Sequence, residues 1–368
     1  MPAVKEQERK TLKKNRLFLI VIGAVAALAL SACGAPPVNN WPGLTADSER
    51  GYVAAGTFIY AVNLEDGTEA WRYPGEANNK RQFFSTLALS EDGQLLAGSA
   101  GSEHAFLSLD PATGRENWAA PFIGAKGAWL APPLMWNGKI YAPNSDGLLY
   151  VLGSDGTLEG SIDLGGALWS QPATDGQFLY VASLDHHVHI VDPETQQSVQ
   201  TVDLEGAIAS SPTAAVNGVY IGSFTGKLEF VAGDGRRETV SEAEDWIWGS
   251  PTLDGETLLF ADLGGKVYSL DLPSGQQNWP DVQPDGPVAA SPLLVNDMII
   301  IVTESGSVHA FDRDGKEAWP RAYQSGGKIY TTPVASGELV LVAPYQAEYS
   351  LVALDTDGRQ AWLFDPQS

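Results

Sequence analysis

A unit of about 40 residues recurs eight times, and this period constrains the fold more than any local pattern does. The later copies align on a Ser/Thr-Pro pair or a near equivalent, at Pro132, Pro172, Pro212, Pro251, Pro292 and Pro333, in steps of 40, 40, 39, 41 and 41 residues. Thr86 takes the proline's place one unit earlier, and Pro42 one before that. Each unit holds four short apolar runs separated by turns. Four strands per 40 residues is one blade of a β-propeller. The fold class is therefore all-β: an eight-bladed β-propeller of four-stranded antiparallel blades.

One unit traced in full shows the pattern. Val288–Val295 reads as the first strand, Asn296-Asp297 as a turn, Met298–Val302 as the second strand and Ser307–Phe311 as the third. Lys316–Trp319 reads as the fourth, after an Asp-Gly turn ending at Gly315. The recurrent Asp-Gly pairs supply positive φ and local side-chain bonds, as hairpin turns need. They do not form a calcium loop, because no stretch shows the full loop spacing with its terminal Glu. The last repeat, 329–365, contains all four of its own strands, so closing the ring needs no strand from the N-terminus.

The fourth strand often ends at a tryptophan. The stretches Ala61–Trp71, Ser108–Trp118 and Ser269–Trp279 share an Asn or Asp, a Gly and a terminal Trp at fixed spacing. Two shorter copies end at Trp319 and Trp362. This pattern resembles the tryptophan-docking motif of pyrroloquinoline-quinone-like repeat propellers, the repeat type of quinoprotein dehydrogenases. The resemblance covers 42–368. It implies that Trp71, Trp118, Trp279, Trp319 and Trp362 are blade-docking residues, each indole packing at a seam with its N–H available for a bond. Gly160, Gln200 and roughly Thr239 stand where the middle blades would carry Trp, so those seams have less indole packing.

The first forty residues have a different character. Met1–Arg16 is basic, Leu17–Leu30 is a 14-residue apolar run, and Leu30-Ser-Ala-Cys33-Gly follows. Charged, apolar and small-residue regions in this order make a secretory signal. The run is shorter than the roughly 20 residues of a membrane span. Residues 1–32 therefore read as a lipoprotein signal peptide. Cys33, the only cysteine, reads as the lipidation site, and 33–41 as a short tether stiffened by Pro36-Pro37. The product is expected on the outer side of the cytoplasmic membrane or in the outer membrane. Without its leader the chain keeps 16 basic and 43 acidic side chains, a net charge of −27. Such a surface repels nucleic acid and anionic headgroups.

Three places could carry function. Phe83, Trp129, Trp169, Trp248 and Tyr330 stand three residues before the repeat anchor, with Ala209 and Ala289 in the same slot elsewhere. This slot lies where the chain crosses to the inner strand of the next blade, so the five either ring one mouth of the channel or pack between blades. An exposed ring, with Arg81, Lys126, Asp245 and Lys328 interleaved, would grip a peptide or a small ring-shaped ligand, and the partner expected is a protein or extended peptide near the membrane. His187 and His189 alternate onto one strand face beside His186. They read as core or channel-facing histidines or, less economically, as metal ligands; no metal site is assigned. The third place is a quinone centre, for which the repeat resemblance implies pyrroloquinoline quinone with calcium. No catalytic residue is assigned, because no nucleophile–base order or phosphate loop is present and no cysteine follows Cys33. The preferred reading is a non-catalytic protein- or peptide-binding scaffold with no cofactor; the alternative is a small quinone-binding oxidoreductase or sensor. The chain also resembles the propeller lipoproteins of the outer-membrane β-barrel assembly machinery, which implies a role in envelope protein assembly.

Overall fold

The computed structural model describes residues 41–366, apart from residue 281 and the side chains of residues 85 and 86. Cys33, the leader and nearly all of the tether lie outside them. The strands form eight consecutive antiparallel sheets. Seven have four strands in chain order, and the second has three, Phe83–Leu89, Leu95–Ser99 and Phe106–Leu109. The outer position of that blade is held by two isolated bridges, Leu109 to Glu116 and Phe106 to Phe122.

Second and third strands are largely apolar on both faces because each blade is covered by its two neighbours, with buried exceptions such as Glu229 and His189. Met298–Val302 and Ser307–Phe311 pair with Ile301 opposite His309 and Ile300 opposite Ala310. The hairpin before them turns at Asn296 and Asp297, both with positive φ, 47° and 61°. This is the two-residue turn whose twist matches the strands.

Two of the expected strands are shorter or displaced. The first strand of that blade is only Leu293–Val295. Residues 288–292 instead form the junction from the preceding blade, where Pro292 lacks an N–H for the ladder. The fourth strand is not Lys316–Trp319. Glu317 makes one bridge to Phe311, and pairing resumes at Tyr323–Gln324. Pro320 follows Trp319 directly and interrupts the outer strand there. Pro280 after Trp279 and Pro121 after Trp118 accompany the same interruption in the sixth and second blades.

The repeated Ser/Thr-Pro pair has a specific role. The hydroxyls of Ser211, Ser250, Ser291 and Thr332 accept the N–H of Gln171, Ser211, Ser250 and Ser291 at 2.9–3.1 Å. A chain of hydroxyl–amide bonds thus links five consecutive inner edges, satisfying backbone donors that sheet pairing leaves free. Pro132 is not its anchor in the third blade. Gln171 Nε2 donates to Pro133 O at 2.9 Å, and Pro133 holds the equivalent position.

The ring closes between the eighth and first blades without strand exchange. Val334–Ser336, Leu339–Val342, Leu351–Leu354 and Gln360–Phe364 form the last sheet alone. Ser336 Oγ donates to Asp47 O at 2.6 Å, and Thr331 Oγ1 donates to Pro42 O. Leu341 and Leu351 pack with Val53 and Val62 in one shared core.

Candidate functional site: an aromatic channel mouth

Antiparallel four-stranded blades place two kinds of loop on each face. Turns from second to third strand share a face with the junctions between blades. Turns from first to second and from third to fourth strand lie on the other.

The docking tryptophans belong to this second face. Trp71 Nε1 donates to Pro111 O and Trp118 Nε1 to Ser154 O, both at 2.9 Å. Trp279 reaches Arg313 O at 3.1 Å, while Trp319 reaches Thr356 O and Trp362 reaches Leu64 O, both at 2.8 Å. Every acceptor lies in the next blade's outer turn, and Trp362 makes this bond across the closure. Each indole also lies over the turn glycine of that next blade. A Cβ added at Gly114 would stand 2.6 Å from Trp71, and Gly156, Gly315, Gly358 and Gly67 are covered in the same way. The motif's glycine and tryptophan are thus two halves of one contact between consecutive blades.

The middle seams differ, each in its own manner. Gln200 lies 3.3 Å from the Cβ position of Gly235, so an amide covers the glycine there. Gly275 has nothing above it. In the preceding, fifth blade the strand register puts Glu238, rather than Thr239, opposite Phe230, at the position that Trp71 holds opposite Ala61.

On the first face, the five aromatics read as one slot separate into two groups. A backbone bond recurs at the junctions: Phe83 N to Gly56 O, Trp129 N to Ser99 O, Leu168 N to Asn144 O, Ile247 N to Ser223 O and Val288 N to Asp262 O. Phe83 and Trp129 therefore occupy the inward position that Leu168, Ile247 and Val288 hold elsewhere. Both are fully buried between blades, and Trp129 is the largest fully buried side chain among the described residues. They are not part of a mouth. Pro133, not Pro132, aligns with the other anchors, so Leu130 is the counterpart of Trp169.

The other three do face the mouth. Trp169 is 37% exposed, and Trp248 and Tyr330 are half-buried. Trp248 and Tyr330 belong to a continuous line of six rings. Trp246 stacks on Phe224 with centroids 4.8 Å apart and planes at 5°, and Phe224 meets Trp248 at 5.3 Å. Trp41 contacts Trp248 edge-on at 6.4 Å and Tyr330 at 5.7 Å, and Tyr330 meets Tyr345 at 6.1 Å. Trp246 is 50% exposed. Sequence reading missed Trp41, Phe224, Trp246 and Tyr345. The signal for Trp246 was legible, since Ala167 and Ala207 fill the same junction position in other blades.

Polar groups fix one end of this line. Glu304 Oε1 accepts from Lys328 Nζ at 2.6 Å and from Tyr330 Oη at 2.8 Å. These bonds hold the Glu304 carboxyl below its ordinary range. The Lys328 ammonium also lies over the Tyr330 ring at 5.9 Å.

The histidines lie in the fourth blade. His187 Nδ1 is 3.2 Å from Asp185 Oδ1, His186 is in the turn with φ 80°, and His189 is buried with no partner at Nε2. Burial pushes the His189 imidazole below its usual pKa, with Asp185 opposing in part. Among the described residues no three His, Cys, Asp or Glu side chains converge to hold a metal ion. Of the carboxylates around the mouth, Glu304 is partnered as above and Asp285 is partnered by Ser307 and His309.

A family model described as outer membrane protein assembly factor BamB matches residues 54–159, 146–279 and 232–328, together well over half of the chain. The chain belongs to the BamB family. The BamB of Burkholderia pseudomallei (strain K96243) is 26% identical over 115 residues, which is 31% of this chain and 29% of that relative's length. The solved structure of BamB from Moraxella catarrhalis superposes with a TM-score of 0.64 at 18% identity, covering 86% of this chain and 91% of that one. The computationally designed Ika8 protein superposes with a TM-score of 0.72 at 14% identity, covering 87% and 98%. At these identities the two structures speak for the propeller fold alone, and the BamB family assignment rests on the sequence match.

Proposed function

We propose that this chain is a non-catalytic scaffold in outer-membrane protein assembly, held at the membrane by lipid on Cys33, and that it takes an extended segment of a partner protein at the aromatic mouth. Family membership supports the assembly role. The observation that carries the docking site is the continuous line from Trp246 to Tyr345 across one face. Partly exposed aromatic surface held on rigid junctions is the kind of anchor on which protein interfaces concentrate their energy. Trp169, across the same mouth, extends the apolar surface beyond the line.

The experiment is affinity recovery from solubilised membranes with Trp169→Ala and Trp246→Ala variants. Both residues are substantially exposed, so truncation should leave the melting temperature nearly unchanged while partner recovery falls. Undiminished recovery with both variants would move the docking site elsewhere on the propeller.

A further inference from the structure

Trp41 differs from the other rings of the mouth in lying ahead of the first blade, whereas the others sit on turns and junctions between strands. It precedes the first strand, which starts at Gly43, and it is joined to that strand by Pro42. Its indole nevertheless bridges two walls that belong to different junctions, Trp248 between the fifth and sixth blades and Tyr330 between the seventh and eighth. Each wall is braced without it. Trp248 packs on Phe224, which in turn stacks on Trp246. Tyr330 is held by Glu304 and packs on Tyr345. Each wall therefore has contacts of its own besides those to Trp41.

We propose that the space between Trp248 and Tyr330 is an acceptor site for an aromatic side chain on an extended peptide, and that Trp41 is its built-in occupant, displaced when a partner's aromatic residue enters. The inference rests on the reading of the mouth as the docking site and adds the class of side chain it takes. Three observations favour an aromatic ligand. The present occupant is aromatic, and it meets Trp248 edge-on, an arrangement that ring quadrupoles prefer, and Tyr330 at a tilt. It is presented by irregular chain, as an extended peptide would present one. The cation position on the Tyr330 ring is already filled by Lys328, which disfavours a lysine or arginine ligand there.

A tethered occupant has a definite consequence. Only the fraction of molecules with Trp41 withdrawn is competent to bind, and the apparent affinity for an outside peptide is reduced by that fraction. Removing the occupant therefore tightens binding.

The test uses the full chain in detergent and a capped peptide with the sequence of residues 36–45, together with versions carrying Phe, Leu or Lys in place of Trp41. Binding is read by saturation-transfer NMR and calorimetry. Trp41→Ala should bind the Trp and Phe peptides at least roughly tenfold more tightly than the wild type, with Leu and Lys peptides weaker. Trp41→Phe should behave as the wild type. Adding Trp248→Ala to Trp41→Ala should remove the gain; Tyr330→Leu is the second wall variant should the first fail to fold in a thermal melt. Equal binding by wild type and Trp41→Ala, no binding by either, or equal binding of the Leu peptide would overturn the acceptor. Partner recovery that depends on Trp169 and Trp246 would stand in any of those cases, so the two readings fail separately.

Discussion

The side chain of Gln196 occupies the place where Gly160 would need a Cβ, so the third and fourth blades meet with the docking roles exchanged. At five other seams a Trp covers the next blade's turn glycine. Here the glycine is in the covering position, and Gln196, with φ 54°, takes the turn and reaches back. Gly160→Trp alone should therefore clash with Gln196 and destabilise by about 1–3 kcal/mol, as overpacking does. Gly160→Trp combined with Gln196→Gly should rebuild the ordinary seam and recover the loss. Urea melts of the two singles and the double give the coupling energy directly; additive effects would mean that the two positions do not meet.

Turn glycines allow indole docking to be separated from backbone strain. Gly114 and Gly275 have nearly the same φ, 69° and 66°, but Gly114 lies under Trp71 and Gly275 under nothing. Substituting Ala at either costs about 1–2 kcal/mol for the left-handed conformation. Gly114→Ala must in addition displace the indole, at roughly a further 1–3 kcal/mol. Denaturant midpoints compared between the two variants check this, and equal losses would remove the indole from the seam energetics.

His189 gives the fold a pH dependence of known sign. Burial favours the neutral imidazole, so its folded pKa lies below the unfolded value of about 6.5. Between the two values the unfolded chain binds the extra proton, and stability rises with pH. The contribution is complete above the unfolded pKa and is lost as pH falls toward the folded one. His189→Gln should flatten this part of the melting-temperature profile below pH 6.5. An unchanged slope would assign the acid sensitivity to other groups.

The repeat period, the turns and the docking tryptophans were legible because each depends on residues close together in one unit. Met298–Val302 and Ser307–Phe311 read correctly since their apolar runs end at turn residues on both sides. The outer strands of the Trp-Pro blades did not, because whether chain beyond Pro320 rejoins the sheet depends on packing rather than pattern. The mouth was half legible. Trp169, Trp248 and Tyr330 share a repeat position, but Pro132-Pro133 offers two anchors one residue apart, and that choice alone decides whether Trp129 faces the mouth or the core. Phe224 joins the line from the second-to-third-strand turn of the fifth blade, and Trp41 joins only through the closed ring, which brings residues from distant repeats together.

The most direct test of the account is site-specific photocrosslinking in intact membranes, with a photoreactive phenylalanine analogue at position 246 or 216. Trp246 lies on the mouth face, 50% exposed; Val216 lies in a turn on the opposite face, 85% exposed. The account predicts a discrete adduct with an outer-membrane assembly protein from position 246 and none from position 216. Adducts from position 216 alone, or equally from both, would contradict it.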